Sequence, residues 1–259
     1  MFDWVTRKSL LILISAFVVA LLCNSGVVSS SFALIIICRG VNVFGVLVHE
    51  LGHSIFMWAY GIINVPMIFT LFGSDQAGGM TMPLSGRNVV TELLALVGFG
   101  YAGYRLYEDQ SRWLIPFGIF YLIIVLTTFT SFHEMIIAYM GHGTEIIVGS
   151  YLIFRACLNI DARNSYERWL NGFFGFFMNI NVAMMCYNLI TDVDYREEYT
   201  DHMAFGESEN DFVMVADHIW HGSVHGVAVF TLIVSILLMI VPVLAASYAT
   251  LDGYVNFEE

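Results

Sequence analysis

Charge is what this sequence has least of. Charged residues fill 12% of its 259 positions, against about 25% in a typical soluble domain. An ordinary solvated surface over most of the chain is thereby excluded. Basic residues are scarcer still, with 10 Lys and Arg against 22 Asp and Glu and a net charge of −12. Binding to phosphate needs clustered Lys and Arg, so nucleic acid is excluded as a partner. Only four cysteines occur, Cys23, Cys38, Cys157 and Cys186, with no CxxC pair among them. All four fall in apolar segments and read as small buried hydrophobes, not as a disulfide frame or a zinc ribbon. Repeats and low-complexity linkers are missing too. No small-x-small cleavage site follows the first apolar run, so that run, with Arg7 and Lys8 ahead of it, reads as an uncleaved span.

What the chain does have is length in apolar runs. Hydrophobic residues make up 58%, and a span needs about 20 of them in succession. The expected fold is an all-α, polytopic membrane protein, one transmembrane domain over residues 1–259. Seven spans are expected, at 9–28, 32–63, 88–104, 113–132, 133–158, 169–190 and 224–251. Glu92, His142 and Glu145 interrupt the third and fifth. Residues 66–87 hold two short β-prone pieces around "GSDQAGG", which predicts a hairpin or re-entrant segment after the second span. Such backbone is tolerated at membrane depth only under cover of protein or water. Residues 191–223 form an acidic loop with a short helix near its end. The expected location is a lipid bilayer, crossed several times. Arg7 and Lys8 favour a cytoplasmic N-terminus, whereas the loop arginines favour the reverse; the first helix is given precedence.

The second span carries the chemistry. His49-Glu50-Leu51-Gly52-His53 is an HExxH pattern. Residues i and i+4 share a helix face, so both imidazoles can reach one ion, with Glu50 beside them to deprotonate a water. Zinc lowers the pKa of such a water to about 7. Ionisable groups within a span are rare and mark function. Counted from Phe32 at 1.5 Å per residue, His49 lies about 25 Å along the helix, towards the far side of the bilayer.

An HExxH on a hydrophobic helix, followed by a glycine-containing hairpin-like segment, resembles the intramembrane zinc metalloproteases of the site-2 protease family (peptidase family M50). The likeness is clearest over residues 32–104. More loosely, "MGHGTEIIVGSYLIFRA" and "NDF" resemble bacterial M50-like members. The resemblance implies zinc on the two motif histidines and a distal acidic ligand, a glutamate base, and a substrate helix that unwinds beside a short edge strand. "FTLFG" or "GGMTM", with Gly78 and Gly79, would supply that strand. In the family the distal ligand is an aspartate in an LDG-type motif on a later span; no later span here contains that motif.

The remaining ligands must come from elsewhere. His142 and Glu145 are spaced i, i+3 on the fifth span between glycines that permit close helix approach. One can ligate while the other orients a ligand from behind. Asp192 and Asp194 hold the position of the family aspartate but read as interfacial. His133 and Glu134 read as capping the fifth helix. Asn179 and Asn181 could contact substrate backbone, or bond between helices. His218, His221 and His225 share a face as a second histidine group at the start of the last span. The expected function is zinc-dependent proteolysis of transmembrane peptide segments. Two alternatives stand beside it: a non-proteolytic subunit of a larger membrane complex, and a zinc hydrolase of a lipid amide. A di-iron carboxylate centre is disfavoured, because a second E-x-x-H is missing.

Overall fold

A computed structural model describes residues 7–25, 32–69, 78–111, 113–160, 164–201, 210–219 and 222–251. Within these residues the chain is mostly helical. The elements are α1 (Arg7–Asn24), α2 (Phe32–Ala59), β1 (Asn64–Phe69), β2 (Gly78–Pro83), α3 (Val89–Glu108), α4 (Leu114–Thr127), α5 (Phe132–Leu158), α6 (Ser165–Thr191), α7 (Val193–Asp201), α8 (Asp211–Ile219) and α9 (Val224–Leu251). Five helices, α2, α3, α5, α6 and α9, are long and apolar enough to cross a membrane. The apolar stretches of α1 and α4 are shorter, at Leu11–Asn24 and Leu114–Thr127. A helix thus stands at each of the seven expected places, and five of them reach spanning length.

Local chemistry sets the boundaries. Asn88 caps α3, its side chain accepting from the Val90 amide at 2.8 Å, and Asn164 caps α6 through the Glu167 amide at 2.9 Å. Each cap satisfies an amide that the first helical turn leaves open. The α6 cap starts that helix a turn before the expected Trp169. α2 ends before the expected Ile63, because Gly61 takes a positive φ of 74° that turns the chain into β1. β1 and β2 then pair antiparallel from Asn64↔Pro83 to Phe69↔Gly78. The expected hairpin is therefore present, and most of "FTLFG" lies outside the described residues. The acidic loop holds two helices, α7 and α8, where one was expected.

α5 and α6 form the centre. They cross at Gly149 and Gly175, where a Cβ on either would press on the other's carbonyl oxygen. Close backbone approach of this kind is how apolar helices gain packing without a hydrophobic driving force. α2 runs antiparallel to α5, with Gly52 seated on the Met140 carbonyl. One core cluster joins Ile146, Val182, Leu189 and Val227 to the buried face of α8, Phe212, Val215 and Ala216.

One reading of the cysteines is corrected. Cys23 and Cys38 are joined in a disulfide, their Cα atoms 5.2 Å apart. The C-terminal end of α1 and the first turns of α2 lie close enough to bring residues 15 apart into bonding range. Only Cys157 and Cys186 are free and buried, as expected of small hydrophobes.

Candidate metal centre

Three elements that are distant in sequence build one cluster. α2 supplies His49, Glu50 and His53. α5 lies antiparallel to it and supplies His142 and Glu145. Gly141 makes the approach possible, since a Cβ there would collide with the Nε2 atoms of His49 and His53. The third contributor is Asp211, the first residue of α8.

The imidazoles are fixed from behind. His53 Nδ1 donates to the Ile137 carbonyl at 2.7 Å. One carboxylate oxygen, Glu145 Oε2, accepts from both His49 Nδ1 at 3.2 Å and His142 Nδ1 at 2.9 Å. With each Nδ1 donating, each Nε2 carries a lone pair when its ring is neutral, the form that binds a cation, and carries a proton towards Asp211 when it is not. Those Nε2 atoms converge. His49 and His53 Nε2 are 3.0 Å apart, and Asp211 Oδ2 lies 3.0 Å from the first, 3.2 Å from the second and 3.9 Å from His142 Nε2. Four donors on a tetrahedral ion with bonds near 2.0–2.1 Å stand about 3.3 Å from one another. The spacings among His49, His53 and Asp211 lie close to that value, while His142 stands farther from Asp211. His49, His142 and Asp211 form a group that could hold a metal ion, and His53 adjoins it.

Burial acts against the Asp211 charge, but the imidazoles of His53 and His49 outweigh it and hold the carboxyl well below the usual carboxylate range. Nearby on α7, burial pushes the Tyr199 phenol far up, and the Asp211 charge pushes it further. Asp211 is thus an anion and Tyr199 a neutral phenol at neutral pH.

Glu50 is only 5% exposed. Thr81 of β2 donates to its Oε2 at 2.8 Å. Gly79 lies flat over it, since a Cβ there would strike the Glu50 side chain. The hairpin is therefore a cover on the glutamate. A cavity of about 610 Å³ opens between hairpin, helices and α8, lined by His49, Glu50, Thr81, His142, Asn181 and Asp211 among others. That is the size of an ordinary ligand site.

The other expected residues fall elsewhere. Gly78 has open space around it. Asn179 is fully buried, its amide donating to the Gly175 carbonyl at 3.0 Å while packing on Gly149, so it joins α6 to α5. Asp192 and Asp194 are exposed. Asp192 caps α7 through the Tyr195 amide at 3.1 Å. His133 and Glu134 lie in the first turn of α5. His218 sits 3.6 Å from Glu134 and His225 3.5 Å from Arg196, while His221 lies outside the described residues. Glu92, which interrupts α3, is buried and paired with Arg87.

Asp211 was the residue that sequence reasoning missed. Its segment is acidic throughout, so one more carboxylate there looked solvated. An LDG tripeptide does stand at Leu251 to Gly253, across the end of the last expected span, and its Asp252 and Gly253 lie outside the described residues. No protein-family model, curated protein or solved structure matches the chain.

The double acceptor role of Glu145 has a measurable consequence. Glu145→Gln is expected to lower metal affinity by about 10–100-fold, the usual cost of losing an outer partner of ligating histidines. A competition titration against a zinc chelator would read it. An unchanged affinity would remove Glu145 from the centre.

Proposed function

We propose that the chain is a multi-pass membrane metallohydrolase that cleaves peptide bonds in membrane-embedded segments, as the site-2 proteases it resembles do. The observation that carries this reading is the grouping of His49, His142 and Asp211, with His53 adjoining, beside a buried glutamate on helices of apolar composition. Two imidazoles come from one HExxH helix. The donor set of nitrogen and carboxylate oxygen suits zinc. A zinc ion held by these residues would supply Lewis acidity and acidify a coordinated water to a pKa of about 7.

The chain's own residues divide the remaining work. Glu50 takes the proton of the attacking water and returns it to the leaving amine. Thr81 keeps the Glu50 carboxylate turned towards the cavity. Asn181 offers an amide to a bound backbone. The hairpin offers an unpaired strand edge to a substrate segment, which must unwind because a helix hides its own carbonyls.

One observation favours a second reading. His49, His142 and Asp211, with His53 adjoining, make four candidate donors, the complement of a closed, structural zinc site rather than an open catalytic one. A non-proteolytic subunit would have use for such a site.

The direct test uses detergent-purified full-length protein. About one zinc per chain is expected by elemental analysis. Cleavage of transmembrane peptides in bilayer discs should stop on chelation and return with zinc. Metal-free protein as purified and after zinc loading, or cleavage indifferent to the chelator, would defeat the proposal.

A further inference from the structure

We infer that Asp211 is an exchangeable ligand: α8 holds its carboxylate in the position that substrate or water must take, and its withdrawal opens the centre. The inference rests on the metal-centre reading above and adds to it a built-in gate.

The four donors are not held alike. His49 and His53 stand on α2 and His142 on α5, long helices packed antiparallel through glycines. Each ring is braced from behind, by Glu145 or by the Ile137 carbonyl. None of the three can turn away without breaking that brace. Asp211 is placed differently. It is the first residue of a nine-residue helix, and its ion pairs run to the three imidazoles themselves. Its side chain is 20% exposed and borders the cavity.

α8 need not move for Asp211 to leave. The helix is anchored by Phe212, Val215 and Ala216, each 0–2% exposed. A change of side-chain rotamer at Asp211 would carry the carboxylate into the cavity it borders while those anchors stay buried. His49 and His142, with His53 adjoining, would then remain to hold an ion, and a position on the cavity side near Glu50 would be open. The exchange is a ligand substitution. The carboxylate oxygen would give up its place to a neutral oxygen of water or amide, Asp211 would remain ionised, and no electrons would transfer. A centre gated in this way stays closed until a substrate segment enters the cavity and competes for the position.

The test loads purified full-length protein with cobalt(II), whose visible spectrum reports coordination, and titrates in acetohydroxamate as a probe of the open position. Asp211→Ala is expected to keep stoichiometric cobalt and to bind acetohydroxamate at least tenfold more tightly than the unaltered chain. Asp211→Asn, equal in size, serves if the alanine variant does not fold, with the same direction expected. Loss of cobalt from either variant by more than a hundredfold in affinity would make Asp211 an obligatory ligand and overturn the gate. Equal acetohydroxamate affinity in variant and unaltered chain would overturn it as well. In both cases the metal centre itself would stand. Failure of the unaltered chain to take up cobalt would instead sink the metal-centre reading and the gate together.

Discussion

Glu50→Gln is expected to leave the metal bound and the chain folded while cleavage of a membrane peptide falls by about 10²–10⁴-fold, the range a general base contributes. The substitution changes no volume. The Thr81 hydroxyl at 2.8 Å can still donate to the amide oxygen, so the hairpin keeps its seat. Gly79 also still fits, since the side chain beneath it has the same outline. Only proton acceptance is lost. Measuring kcat beside zinc content separates this from damage to the site. An unreduced rate with full zinc would assign the base elsewhere, whereas full zinc with no cleavage in either the unaltered chain or the variant would favour the non-proteolytic subunit.

His49→Ala should have the larger effect on the metal. His49 Nε2 faces both His53 and Asp211, and its Nδ1 shares Glu145 with His142. Loss of an outer partner alone costs about 10–100-fold in affinity, so loss of the ligand should exceed 100-fold. Glu145, 3% exposed, would also lose one of two donors, and an unsatisfied buried polar group costs about 1–3 kcal/mol. A ligand at 1,000 times its Kd stabilises the folded state by about 4 kcal/mol. The zinc-dependent rise in Tm should therefore disappear in His49→Ala at zinc levels that saturate the unaltered chain. A thermal scan with and without zinc would show it; a retained rise would place the ion off His49.

How legible all this was follows from range in sequence. HELGH announces itself within five residues, because a helix puts i and i+4 side by side. His142 and Glu145 were legible for the same reason at i, i+3, and both do meet the α2 histidines. The hairpin was legible from its glycines, and the seven helices from apolar length. Asp211 was not. It joins the site only through the packing of α8 on α5 and α9, set by Phe212 and Val215 in the shared core rather than by any local spacing. Likewise the Cys23–Cys38 bond follows from the closeness of the end of α1 to the first turns of α2, which no pairwise cysteine pattern encodes. The one asparagine expected at the cavity that went elsewhere, Asn179, turned inward because Gly149 leaves it a slot.

That disulfide bears on which compartment the centre faces. Disulfides persist on the oxidising side of a membrane. With the chain crossing a bilayer as proposed, the Cys23–Cys38 pair near the start of α2 would lie on that side. Cys38 and His49 are 11 residues apart on one helix, about 16 Å along its axis. The donors and the acidic α7–α8 segment would then sit towards the reducing, cytosolic face. Metal would be delivered from the cytosolic pool, and a substrate segment would be cut near its cytosolic end, freeing a product into that compartment while its other half stays in the bilayer.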